Sequence, residues 1–253
     1  MILELKHVTK QFGGLTAIND MTMSVPEHGI KALIGPNGAG KTTAFNLITG
    51  VYDVTGGSIS FNGMDITNTR PDKTVQLGIC RTFQNIRLFR KMSALDNVAT
   101  GMHTQSKNDM LSAIFDPVGT RAEEKQIKDK SMDLLRYFHL EDSANELASN
   151  LPYGHQRILE IARALASKPK LLLLDEPAAG MNREEKIELV DMIRKIRDDF
   201  DLSVLLVEHD MSLIMALAED ITVLNFGTVI ANGTPEEIQK NEQVIEAYLG
   251  RDD

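Results

Sequence analysis

Gly35-Pro36-Asn37-Gly38-Ala39-Gly40-Lys41-Thr42 follows a short apolar run, Ile30–Ile34, and leads into a helical stretch at residues 42–48. The eight residues match G-x-x-x-x-G-K-[ST] in full. Glycines at these positions let successive backbone N–H groups turn inward around an anion, an approach that side chains would block. Lys41 is placed to reach the outer phosphates of a nucleotide and the Thr42 hydroxyl to ligand Mg²⁺. The helix that follows aims its positive end at the same phosphates. With glycine near 7% per position, a chance match in a chain this long is of order one in a hundred. The stretch predicts a nucleoside triphosphate site made by residues 35–42 and the adjoining Thr43, within a strand–loop–helix unit.

On the N-terminal side, residues 2–8 and 22–25 alternate apolar and polar, as half-buried strands do, with Gly13-Gly14 as a turn between them. Residues 58–61 alternate again and close on Asn62-Gly63, a turn dipeptide. Residues 93–167 change character: β-branched runs are few and several segments read as helices, including 121–138. No Ser/Pro/Gly-rich linker flanks this region, so it reads as a helical insertion, with a long loop expected at 104–120. Two apolar strands, 171–174 and 203–207, flank an amphipathic helix at about 183–197 whose Ile187, Val190, Ile193 and Ile196 share helical spacing. Strand–helix–strand of that length is a parallel crossover unit. Thr234-Pro235-Glu236-Glu237 supplies an N-cap, a first-turn proline and an N3 glutamate, so a helix starts there.

Leu171-Leu172-Leu173-Leu174-Asp175-Glu176 ends a buried strand in two adjacent carboxylates, and Pro177 stops it. Beside a phosphate loop, the first acid at such a strand end holds Mg²⁺, usually through water, and the second orients and deprotonates an attacking water. Strand alternation points the two acids in opposite directions, so they take separate jobs. Taken alone, the pair is also compatible with a plain acidic turn.

The chain has 253 residues, which at about 150 per domain gives about 1.7 domains, one large or two small. Its 36 acidic residues against 27 basic leave a formal charge of −9, a poor match for wrapping nucleic acid. The single cysteine, Cys80, rules out an internal disulfide framework. No apolar run nears the 18 residues of a membrane span, and charges at Glu4 and Lys6 come too early for a signal peptide. The six histidines show no pair at metal-ligand spacing.

Further segments, in order, resemble the ATP-binding-cassette ATPases. Phe12, in Gln-Phe-Gly-Gly, stands where that family stacks an aromatic on adenine. Gln84, in Arg81-Thr82-Phe83-Gln84-Asn85, is similar to its Q-loop glutamine, which touches Mg²⁺. His209, in Val207-Glu208-His209-Asp210, resembles its switch histidine, which contacts the γ-phosphate. Leu151-Pro152-Tyr153-Gly154-His155-Gln156 falls at the signature motif that one cassette presents to nucleotide on another, and Ala178-Ala179-Gly180-Met181-Asn182 at the D-loop. Singly, each has a plainer reading: Phe12 as a turn aromatic, Gln84 as a surface amide, His209 as a satisfied core histidine.

The resemblance covers about residues 3–250 and implies one cassette: a P-loop NTPase (RecA-like) α/β core with an antiparallel β-subdomain (about 3–85), a helical subdomain (about 86–165) and the rest of the core (about 166–250). It implies ATP and Mg²⁺ as cofactors, with Thr42, Gln84 and Asp175 as the metal side and Glu176 and His209 as the catalytic pair. The signature departs from the usual Leu-Ser-Gly-Gly-Gln: Pro152 replaces the serine, Tyr153 the first glycine and His155 the glutamine. Pro152 has neither hydroxyl nor N–H, so ATP-driven dimerisation is expected to be weaker than with serine.

The variant signature and the segments around Gln84, Asn182 and His209 resemble the branched-chain amino acid importer type. That implies two membrane-spanning permeases, a second cassette held head to tail, an indirect periplasmic substrate-binding protein and a place on the cytoplasmic face of the inner (plasma) membrane. Residues 85–100, with Ile86, Leu88 and Phe89 near Gln84, are the expected permease dock, the plainer reading being a small local core. Alternatives are a urea or amide importer, a lipopolysaccharide exporter and a soluble cassette ATPase outside transport.

Overall fold

A computed structural model describes residues 1–103 and 117–249. The chain forms two compact units, Met1–Gln84 with Lys170–Asp253, and Asn85–Pro169.

The first unit holds two sheets. Strands β1 (Leu3–Phe12), β2 (Leu15–Val25), β4 (Gly56–Phe61) and β5 (Met64–Asp65) form an antiparallel sheet in the order β2-β1-β4-β5. Leu3 stands opposite both Val25 and Phe61, which fixes the register. Both long strands run further than alternation foretells. Lys10, Gln11 and Phe12 still pair across the Gly13-Gly14 turn, but register shifts after Leu5, Val8 and Lys10 break the two-residue period that would show it.

The second sheet has six strands, in the order β10 (Thr228–Gly233), β9 (Asp220–Asn225), β3 (Ile30–Ile34), β8 (Ser203–Val207), β7 (Leu171–Asp175), β6 (Ile79–Arg81). All neighbours are parallel except β10 with β9. Strands β3, β7 and β8 are buried along their whole length, which is why they read as continuous apolar runs. The β9–β10 hairpin is not among the strands expected from the sequence. Lys31 is a cation in this interior; burial lowers its pKa, while Asp220 and Asn232 bond its ammonium.

Helix α1 (Lys41–Ile48) presents Phe45 and Ile48 to a core shared with Leu3, Leu5, Met21, Ile59 and Phe61 of the first sheet and Leu33, Leu171 and Leu205 of the second. Each such side chain contributes roughly 1.5–3 kcal/mol by burial, so this core seats the loop that opens α1. Helices α2 (Pro71–Leu77), α6 (Arg183–Asp199), α7 (Met211–Leu217), α8 (Pro235–Gln239) and α9 (Glu242–Leu249) complete the unit. Asn182 and Glu185 form a capping box at α6, and Thr234 and Glu237 another at α8. The buried face of α6 is Leu189, Val190, Ile193 and Ile196; Ile187, expected among them, lies 58% exposed. At about 3.6 residues per turn each i+3 step falls about 60° short of a full turn, so the three steps from Ile196 back to Ile187 carry it about 180° around α6, away from the buried stripe.

The second unit is helical: α3 (Ala94–Met102), α4 (Pro117–Tyr137) and α5 (Tyr153–Ala166). Gly101 of α3 lies so close to α5 that a Cβ there would fall 2.2 Å from the Arg163 carbonyl oxygen. Arg157 and Glu160 of α5 form a buried pair at 3.2 Å. Burial raises the Glu160 pKa, opposed by the Arg87 N–H and by Arg157 and Arg163. Of the loop expected at 104–120, residues 117–120 are already helix, and 104–116 lie outside the described residues.

Candidate functional site

The loop between β3 and α1 is shaped by its own backbone. Gly35, Gly38 and Gly40 have φ of +151°, +79° and +109°. A Cβ on Gly35 would sit 2.1 Å from the Leu224 carbonyl oxygen, so only glycine fits. Gly40 is the N-cap of α1 and brings no side-chain bond to the first-turn N–H groups, which leaves them for an anion. The Gly227 N–H, from the β9–β10 turn, donates to the Ala39 carbonyl at 2.9 Å and braces the loop. Lys41 Nζ folds back to donate to the carbonyls of Gly35 (2.6 Å) and Pro36 (3.0 Å). Burial lowers its pKa, while the charges of Glu176 and Asp175 oppose that shift. Thr42 is exposed and Thr43 partly so.

The two acids beyond β7 keep different company. Asp175 is buried, and its Oδ2 accepts from Arg81 Nη2 at 2.7 Å. Arg81 Nη1 donates to Asn46 Oδ1 at 2.6 Å, and the guanidinium carbon lies 5.3 Å and 5.1 Å from the rings of Phe45 and Phe83. Glu176 sits at φ +48°, a left-handed backbone that a residue with a Cβ seldom adopts outside strained or functional positions. Its Oε2 accepts from Gln84 Nε2 at 2.8 Å and lies 3.7 Å from His209 Nδ1. One carboxylate oxygen thus gathers the glutamine and the histidine. Next to His209, Asp210 accepts from Lys186 Nζ at 2.5 Å and caps α7 through the N–H groups of Ser212 and Leu213. The Lys186 bond, then that of Ser212, holds the Asp210 carboxyl well below the usual range.

Phe12 ends β1 exposed and packs edge-on against Tyr52, with ring centres 5.1 Å apart. Lys10 Nζ stands 4.8 Å over the Phe12 ring and donates to the Asp53 carbonyl at 2.7 Å. The result is an aromatic ledge of two rings rather than one.

The first unit therefore contains Phe12, the phosphate loop, Gln84, Asp175, Glu176 and His209, whereas residues 151–156 belong to the second unit. There Leu151 is buried, Pro152, Tyr153 and His155 are exposed, and Gly154 and Gln156 are partly so. Pro152 is the N-cap of α5 without a side-chain bond, and Gln156 Nε2 donates to the Leu151 carbonyl at 2.8 Å. In the same unit Phe89 is 52% exposed, with Ile86 and Leu88 half-buried. Asn97 holds this segment, accepting from the Phe89 N–H at 2.9 Å and donating to its carbonyl at 3.1 Å.

Arg81, Asn46, Tyr52 and Lys10 join the site without a sequence signal that marks them. Arg81 stands inside the segment around Gln84, but a basic residue at the end of a short strand gives no local hint that its partner lies 94 positions on.

Among the described residues no three His, Cys, Asp or Glu side chains gather to hold a metal by themselves. The oxygen donors of Thr42, Gln84 and Asp175 are the hard ligands Mg²⁺ takes when phosphate and water complete its shell. Among the described residues, no helix is long and apolar enough to cross a membrane.

A phosphate loop, two strand-end acids, a glutamine and a histidine along one mostly parallel sheet define a P-loop ATPase. The chain belongs to the ABC transporter family, which matches residues 18–179. A second family, branched-chain amino acid ATP-binding cassette transporter, matches residues 228–253. The chain is 43% identical over 249 residues to the high-affinity branched-chain amino acid transport ATP-binding protein BraF of Pseudomonas aeruginosa, covering 98% of both. It is 42% identical to LivG of Escherichia coli K12, a protein of the same description, again over 98% of both. The fold matches a nucleotide-free ATP-binding cassette from an ABC transporter with a TM-score of 0.86, 27% identity and 99% coverage of each chain. An ADP-bound cassette matches at 0.85 with 28% identity, also over 99% of each.

Proposed function

We propose that the chain is the ATP-hydrolysing subunit of an importer for branched-chain or other hydrophobic amino acids. The observation that carries this reading is the 43% identity to BraF across 98% of both chains, with no large unmatched segment on either side. The cassette is taken to span about residues 3–250, its helical part about 86–165, and to sit on the cytoplasmic face of the inner membrane. Two permeases, a second cassette and a periplasmic substrate-binding protein are its proposed partners.

In this reading the Phe12–Tyr52 ledge holds the adenine, and the N–H groups of residues 35–43 with Lys41 hold the phosphates. On nucleotide entry Lys41 exchanges the carbonyls of Gly35 and Pro36 for phosphate oxygens. Thr42 and Gln84, with Asp175 through water, are the residues that would hold Mg²⁺, whose positive charge neutralises the phosphates. Glu176 takes the proton of the attacking water, and His209 stabilises charge on the γ-phosphate. Residues 151–156 close over nucleotide on the other cassette. Because Pro152 offers no side-chain donor, binding falls to the backbone N–H groups around Gly154 at the start of α5. The segment around Phe89 is the proposed permease dock, adjoining Gln84 in sequence.

Tagged chain pulled from a detergent extract tests the reading. It is expected to bring down two multi-span permeases and a second cassette. Recovery of the chain alone would favour a soluble ATPase outside transport.

A further inference from the structure

Glu208 has no role in the site just described, yet it is 1% exposed beside it. A carboxylate that deep is held by hydrogen bonds, and its bonds run to two different loops. Oε1 accepts from the Ala178 N–H at 2.9 Å, two residues beyond Glu176. Oε2 accepts from the N–H groups of His209 (3.0 Å) and Asp210 (3.4 Å). Strands β7 and β8, which deliver those loops, are paired only as far as Asp175 opposite Val207. Beyond that pair the Glu176 N–H still reaches the Val207 carbonyl at 2.9 Å, and then the Glu208 carboxylate takes over. A second tie runs parallel to it, Lys186 of α6 to Asp210.

We infer that Glu208 is a positioning residue that locks the loop carrying Glu176 to the loop carrying His209. This inference rests on the roles given to those two side chains above. Glu176 and His209 must reach one terminal phosphate from neighbouring loops, and their spacing is only as firm as the tie between the loops. The carboxylate suits the task because both of its oxygens accept. A glutamine has one accepting oxygen, and its amide nitrogen would face an N–H on one side or the other.

The test is a double-mutant cycle on the full chain, reading MgATP hydrolysis for Glu208→Gln, His209→Ala and the pair. Loss of one charge-assisted bond predicts a fall in kcat of about tenfold for Glu208→Gln. The KM for ATP should change by less than about twofold, because the phosphate loop is untouched. In the His209→Ala background, Glu208→Gln should add less than about a twofold further loss, since the group it positions is gone. Glu208→Asp keeps the charge but draws it back by one methylene; it should show the same kcat loss and serves if the glutamine variant does not fold. Wild-type turnover by both Glu208 variants, or effects that multiply in the double mutant, would overturn the inference alone. Wild-type turnover by His209→Ala would overturn the site reading and the inference with it.

Discussion

The phosphate loop and the acidic loop leave strands β3 and β7, which flank β8 in the same sheet. The phosphate loop is shaped mainly by its own residues: its glycines take left-handed backbone, and Lys41 bonds carbonyls five and six residues back, with the Gly227 N–H as a distant brace at Ala39. The acidic loop is shaped by distant groups. Asp175 is held by Arg81, Glu176 by Gln84 and His209, and the Ala178 N–H by Glu208. Local geometry suffices to grip phosphate, whose charge and shape are constant. In the proposed mechanism, cleaving it takes a carboxylate, a water and a histidine in a fixed relation, and here the carboxylate and histidine come from neighbouring loops beyond β7 and β8. Damage to the first loop should therefore weaken binding, and damage to the second should slow turnover or loosen the fold.

The largest effect expected is at Glu176. Glu176→Gln should lower steady-state phosphate release by about 10²–10⁴-fold, the range for a lost general base, with ATP retained in a filter-binding assay. Loss of binding in step with turnover would erase the contrast between the loops. Arg81→Met comes next. It strands a buried carboxylate at Asp175 and should cost about 3–5 kcal/mol in urea unfolding; a cost under about 1 kcal/mol would mean that the acidic loop is as self-sufficient as the other.

Smaller changes sharpen the picture. With hydrolysis blocked by Glu176→Gln, Pro152→Ser should strengthen ATP-dependent dimerisation about tenfold by sedimentation, the worth of one hydrogen bond to a charged group. No strengthening would remove the role given to the signature variant. The mildest effect is at Asp210, whose carboxyl pKa is depressed by Lys186 and Ser212. A depressed acid stabilises the fold above its unfolded pKa of about 3.9 and loses that contribution as pH falls toward the folded value. Asp210→Asn should therefore lower the melting temperature at pH 7, with the deficit shrinking below about pH 4. A deficit that is constant with pH would assign the loss to the α7 cap instead of the ion pair.

The same contrast sets how much of the molecule is legible in its sequence. The phosphate loop announces itself because its conformational demand is met by residue type, glycine at the left-handed positions and lysine after them. Strands β3, β7 and β8 are legible because burial on both faces leaves continuous apolar runs. The extended ends of β1 and β2 are not, since register shifts scramble alternation. The β9–β10 hairpin escapes notice although Ile221, Val223 and Leu224 are buried. Its turn, Asn225-Phe226-Gly227, puts an exposed phenylalanine at φ +46° where a turn residue would be looked for. Within the site, Glu176 and His209 stand out through their resemblance to motifs. Arg81 and Glu208 do not, because the bonds that give them meaning span 94 and 30 residues and leave no trace in local spacing.

Leucine uptake is the most direct test of this assignment. In a strain lacking this chain, uptake of labelled leucine at low external concentration should be lost, and the wild-type chain should restore it. The Glu176→Gln chain should assemble with the permeases but leave uptake at the level of the deletion. Undiminished uptake without the chain, or full uptake with the Glu176→Gln chain, would contradict the assignment of ATP hydrolysis at this site to amino acid import.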